Sequence, residues 1–152
     1  MRLIIIATFF FSSFKLVNAP MEEYNPPKVV VVETSKIESH KLDDLISALV
    51  RVESNGDTLA VNPVTGASGP LQILPILIDD VNRIANIKDM DKHFTKSDVW
   101  SLEKSREMFI IYTEFYSKNS SYEVISRRWN GGPTGERKPA TKPYWQKVKR
   151  FL

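Results

Sequence analysis

Leu42, Leu45, Ile46, Leu49, Val50 and Glu53 recur at helical spacing, and Asn55-Gly56 follows at once. No other stretch restricts the fold as much. Apolar residues three and four apart line one stripe of a helix, so this segment is a helix with one face to bury. Asn-Gly enters the left-handed region easily and supplies the stop. The last residue of the stripe is an acid, which places Glu53 at the C-terminal end of the helix on the face that the fold must cover. Burial disfavours its charged form, and the negative end of the helix dipole does the same, so its pKa is expected to rise. A carboxyl kept neutral near pH 7 is what a general acid requires, and Glu53 is the candidate catalytic residue.

The rest of the chain arranges itself around this helix, which is expected to begin near Ser39 with Asp43 and Asp44 in its first turns. Asp57 to Leu71 is rich in glycine and proline and reads as an irregular loop or a small hairpin. Pro75 suits the first turn of a second helix, with Leu77, Val81 and Ile84 on one face and Gln72 just before it. Asn86 to Ser97 is polar and reads as loop. A third helix, about Ser101 to Lys118, carries the stripe Leu102, Ser105, Phe109, Tyr112 and Tyr116. Ser120-Ser121-Tyr122-Glu123 has capping-box spacing and announces a short fourth helix, ending at Arg128-Trp129 before Asn130-Gly131-Gly132-Pro133. The last helix starts near Pro143 with Tyr144, Val148 and Phe151 facing inward. The expected fold class is mainly α, a single domain of about five helices with an irregular loop or small hairpin after the first.

At the N-terminus, Met1-Arg2 precedes a 12-residue, largely apolar run, Leu3 to Phe14. That is the length of a signal-peptide core and short for a membrane span. Val17-Asn18-Ala19 supplies small residues for a signal peptidase, but Pro20 makes a poor residue after the scissile bond. Residues 1–19 are therefore either a signal peptide or a retained membrane tether, and export is expected in both cases, to the periplasm, cell envelope or exterior. Residues 20–38, with Asn25-Pro26-Pro27, read as a linker, within which Val29 to Val32 forms a short strand or packs on the domain. Residues 39–152 form the domain.

The chain has no cysteine, which excludes disulfides, thiol catalysis and cysteine-held metals. His40 and His93 lie far apart without a second ligand at metal-binding spacing and read as surface or helix-end residues, so no metal and no cofactor are expected. Charge is uneven: Ser126 to Leu152 carries eight basic residues against Glu136 alone, a net +7 in a chain whose total is +3. Such a face suits a polyanion, or is simply a solvated surface.

Three segments, Arg51-Val52-Glu53-Ser54-Asn55, Gly66-Ala67-Ser68-Gly69-Pro70-Leu71-Gln72-Ile73-Leu74-Pro75 and Trp129-Asn130-Gly131-Gly132-Pro133, resemble in order and spacing the motifs of the lysozyme-like soluble lytic transglycosylases (SLT domain) and goose-type lysozymes. The resemblance runs from about Leu42 to the C-terminus. It implies a lysozyme-like fold and cleavage of the β-1,4 bond between N-acetylmuramic acid and N-acetylglucosamine in peptidoglycan. Glu53 matches the family's catalytic acid/base, Gln72 and Asn130 match polar cleft residues, and Trp129 stands where tyrosine is more common.

In the lytic transglycosylase reaction one carboxyl acts twice and the product is a 1,6-anhydro sugar. A muramidase that hydrolyses the same bond would need help in placing water, for which Asp57 is nearest. A third alternative is a lysozyme-like binding or structural module without turnover. Gly69-Pro70-Leu71-Gln72 departs from the usual Gly-Leu-Met-Gln, losing a cleft methionine and a backbone donor. The expected substrate-binding set is Gln72, Asn130, Trp129, Tyr112 and Ser54, against the alternatives that Gln72 caps a helix start, Asn130 is a left-handed helix cap, Trp129 and Tyr112 are core, and Ser54 caps the first helix. Tyr112 is placed so that its hydroxyl could reach Glu53. The expected partner is the peptidoglycan glycan strand, bound by a monomer, with no nucleic-acid partner.

Overall fold

A computed structural model describes residues 42–152. The expectations for residues 1–19 and 20–38, for a helix start at Ser39 and for His40 lie outside the described residues. Within them the fold is mainly α, with five α-helices: α1 Asp43–Glu53, α2 Pro75–Ile87, α3 Leu102–Tyr116, α4 Tyr122–Gly131 and α5 Lys142–Val148. Short 3-10 turns, Lys96–Trp100, Gly135–Arg137, Pro139–Thr141 and Lys149–Phe151, complete the helical content. No strand forms among the described residues. The loop after α1 is held by two isolated bridges, Val61 with Ser68 and Ser68 with Ile73.

Helix α1 is built as its stripe demands. Leu45, Ile46, Ala48 and Leu49 are buried, and Asp43 and Asp44 occupy the first turn. Asn55 at φ 56° and Gly56 at φ 90° end it in the left-handed region. Around it the core gathers Val81 and Ile84 of α2, Met108 and Phe109 of α3, Ile125 of α4 and Val148 of α5. Each such side chain contributes about 1.5–3 kcal/mol by leaving water. Helix α2 packs on α3, and α5 packs on both α1 and α4. The last helix therefore returns to the first.

Several local expectations are corrected. Leu102 is 42% exposed and Phe151 52%, because the first opens its helix and the second lies past the buried turn of α5. Ser121, rather than Ser120, caps α4 by accepting from the Val124 amide, and Glu123 pairs with Arg127 instead of closing a capping box. Helix α4 runs through Asn130 to Gly131, so Asn130 is helical and Gly132, at φ 83°, is the left-handed residue. The C-terminal basic run is not one surface: Arg127 is buried, donating to Thr141 and Lys138 with Glu123 beside it, and Arg128 grips Glu136 with two hydrogen bonds.

Candidate functional site

The site grows from the end of α1. The Ser54 hydroxyl lies 2.9 Å from the Pro70 carbonyl and accepts from the Gly56 amide, which fastens the helix end to the following loop. That loop folds back on itself. Asn62 donates its amide to the Ala67 carbonyl, while its side-chain oxygen takes the Val64 and Thr65 amides. Gly69 is required: at φ 78° a Cβ there would lie 1.9 Å from the Val99 carbonyl oxygen. Gln72, at φ 48°, does not cap α2. Its amide nitrogen donates to the carbonyls of Gly69 and Ala60 at 3.0 and 3.2 Å, and this pins the loop against the acid.

Glu53, Gln72, Trp129 and Asn130 come together in one cleft of about 300 Å³, with Asn62, Thr65 and Leu77 among its walls. Among the described residues that line it, Glu53 is the one carboxyl. Its Oε1 accepts a 2.6 Å hydrogen bond from the Tyr144 hydroxyl of α5. Burial raises its pKa from 4.5 to about 7, against the opposing pull of the Tyr144 hydroxyl, the Trp129 indole and the charge of Lys147. The expected direction of shift is met, and burial is its leading cause.

Tyr112 does not reach the acid. It packs edge-on against Trp129 at 5.8 Å between ring centres, and burial pushes its hydroxyl pKa up. It belongs with Trp129 and Asn130 to an adjoining apolar hollow of about 510 Å³ walled by Leu74, Ile76 and Pro133. Trp129 packs on Phe109 at 5.0 Å, as a core residue would, and also lines the cleft. Ser54 lies behind the cleft. Asp57 does not line it, and its carboxylate accepts from the Leu59 amide within a turn.

Tyr144 is the residue the sequence left without a role at the acid. Its inward face is readable from the spacing with Val148, but its pairing with a residue 91 positions earlier depends on α5 returning to α1. Chemically, the cleft offers a carboxyl that below about pH 7 is mostly protonated and can donate a hydrogen bond or a proton, amide and hydroxyl groups, and an aromatic wall.

No protein-family model matches the chain, and a search of the curated proteins returned no match. Among solved structures, a chain of the crystal structure of Aeromonas hydrophila PliI in complex with Meretrix lusoria lysozyme shares the fold at a TM-score of 0.61 and 23% identity, covering 71% of this chain and 88% of that one. The lytic transglycosylase assignment and the enzyme status that went with it are corrected: the fold match is to a chain of a complex between PliI and a lysozyme, not to a lytic transglycosylase. A fold shared at this identity carries no activity with it. Asp57, the residue expected to help place water for the muramidase alternative, does not line the cleft.

Proposed function

We propose that residues 42–152 are a carbohydrate-binding module of the cell envelope, with the Glu53 cleft as the seat for a sugar ring of the peptidoglycan glycan strand. The observation that carries this reading is the cleft of mixed polar and apolar walls, in which the Glu53 carboxyl has no cationic hydrogen-bond partner and is held by Tyr144. Its neutral form presents an O–H donor. Gln72, Asn62 and Asn130 bring amides, and Trp129 brings an aromatic face, the mix that fixes a neutral polar ligand in a concave site. Residues 1–19 would export or tether the module and residues 20–38 would space it from the membrane. Among the described residues no helix is long and apolar enough to cross a membrane.

Isothermal titration with chitohexaose, a neutral β-1,4 N-acetylglucosamine oligomer, tests this at pH 6. Binding that Trp129→Ala and Glu53→Ala each weaken at least about tenfold supports the reading, as expected for lost contacts at the centre of a site. Equal binding by both variants contradicts it. So does the appearance of reducing or 1,6-anhydro ends when purified peptidoglycan is incubated with the protein, because a binding module leaves the strand intact.

The matched complex favours a second reading, in which the same face takes a protein partner of the peptidoglycan-cleaving kind. Titration with a purified lysozyme separates the two. Protein binding that excess chitohexaose leaves unchanged would favour the second reading over the first.

A further inference from the structure

The eight C-terminal cations divide into two groups. Arg127 and Arg128 are spent inside the fold on Glu123 and Glu136. Arg137, Lys138, Lys142, Lys147, Lys149 and Arg150 remain exposed, five of them on the short helical segments Gly135–Arg137, Lys142–Val148 and Lys149–Phe151 and Lys138 just after the first. The one acid of this segment, Glu136, accepts two hydrogen bonds from Arg128, whose charge holds its carboxyl down at about 2. Arg137 touches the same carboxylate at 3.4 Å with its side chain 80% exposed, a contact worth little in water. The Lys138 side chain donates to the Gly131 carbonyl, a neutral acceptor. The exposed cations therefore form a surface with almost no internal compensation.

We infer that the outer face of residues 137–150 binds an anionic polysaccharide whose strand continues from the Glu53 cleft. Continuity supports this choice of partner, and to that extent the inference rests on the carbohydrate reading of the cleft. Lys147 lies one turn along α5 from Tyr144, whose hydroxyl bonds the Glu53 carboxyl, so the cationic face begins beside the cleft. The apolar side of α5 faces the protein, with Val148 fully buried and Tyr144 and Trp145 packed on the core. That removes the apolar strip by which a basic helix enters a bilayer, leaving only half-exposed Phe151 and Leu152 beyond it. Aromatic rings interleaved with the exposed cations, the platform for stacked bases, are likewise missing from α5's outer face. What remains is a row of flexible cations suited to carboxylates or phosphates spaced along a sugar chain.

The test compares the full chain with a Lys142→Gln, Lys149→Gln, Arg150→Gln triple variant, none of whose positions lines the cleft. Probes are a hyaluronan oligosaccharide, carboxylated on alternate sugars, and neutral chitohexaose, each titrated at several salt concentrations. The expected result is a wild-type affinity for hyaluronan that falls with salt, weakens about tenfold in the triple variant and loses much of its salt dependence, as for three exposed charge contacts. Unchanged hyaluronan affinity in a triple variant with the wild-type unfolding midpoint overturns the inference. So does tighter binding to phosphatidylglycerol vesicles or single-stranded DNA than to hyaluronan. If chitohexaose fails to bind while the hyaluronan result holds, the cleft reading fails and the cationic face stands.

Discussion

Two places among the described residues draw charged side chains out of water, and they handle the charge in opposite ways. At the corner where α4 meets the C-terminal turns, Arg127 and Arg128 are matched: Glu123, Glu136, Thr141 and the Lys138 carbonyl take their donors. At the end of α1, Glu53 is half-buried, with the Tyr144 hydroxyl and the Trp129 indole as its neutral partners and no cation in contact. Structural burial of charge is compensated, because an unpaired buried charge is costly. The uncompensated acid is the one that faces a cleft. That is the pattern of a site whose chemistry is held ready for a ligand.

The two places also respond to pH with opposite sign. Glu53 has a folded pKa of about 7 against an ordinary 4.5, so its contribution to stability is full below 4.5 and is lost as pH rises through 7. Glu136 is held at about 2 by Arg128, so the contribution of that pair is full above 4.5 and is lost as pH falls through 2.

The largest expected effect falls on the compensated corner. A Cβ at Gly135 would lie 2.1 Å from the Arg127 carbonyl oxygen, so Gly135→Ala should cost at least about 3 kcal/mol in urea unfolding. A cost under about 1 kcal/mol would mean that the corner is looser than its hydrogen bonds indicate. Next comes the cleft. Wild type should lose up to about 3 kcal/mol between pH 4.5 and 8, and Glu53→Gln should remove that slope and exceed wild type at pH 8. Parallel pH profiles for the two proteins would erase the contrast between the regions.

Arg127→Met should cost about 2 kcal/mol by leaving Thr141 and the Lys138 carbonyl without its donors. Urea unfolding at pH 7 measures it, and a neutral outcome would show that Arg127 acts through its alkyl stem alone. The smallest effect belongs to Tyr144→Phe, about 1 kcal/mol at pH 8, accompanied by a rise in the Glu53 midpoint because a hydrogen bond to the ionised form is lost. A fall in that midpoint would reverse the role given to Tyr144.

How much of this was legible in the sequence follows from the range of each interaction. The α1 stripe, its Asn55-Gly56 stop and the Pro75 start depend on residues within two turns of one another, and local spacing reports them. The mainly α class follows from such segments. Glu53, Gln72, Trp129 and Asn130 were legible as candidates from motif spacing, and the fold brings them to one cleft. Tyr144 at the acid, Tyr112 in the neighbouring hollow and the burial of Arg127 depend on how α5 and the C-terminal turns return across α1 and α4. No local period records that return. Activity was the least legible: the motif resemblance pointed to bond cleavage, and a fold likeness at 23% identity carries no activity to set beside it.

Below pH 7 the Glu53 carboxyl is expected to be mostly protonated and so able to donate to a sugar in the proposed site. Carbon-13 NMR of the Glu53 carboxyl, titrated from pH 3 to 9 with and without chitohexaose, tests it most directly. The account predicts a midpoint near 7 in the free protein that moves upward when the oligomer binds, since a ligand that accepts from the carboxyl favours its protonated form. A free-protein midpoint near 4.5, or one that saturating chitohexaose leaves unmoved, would contradict it.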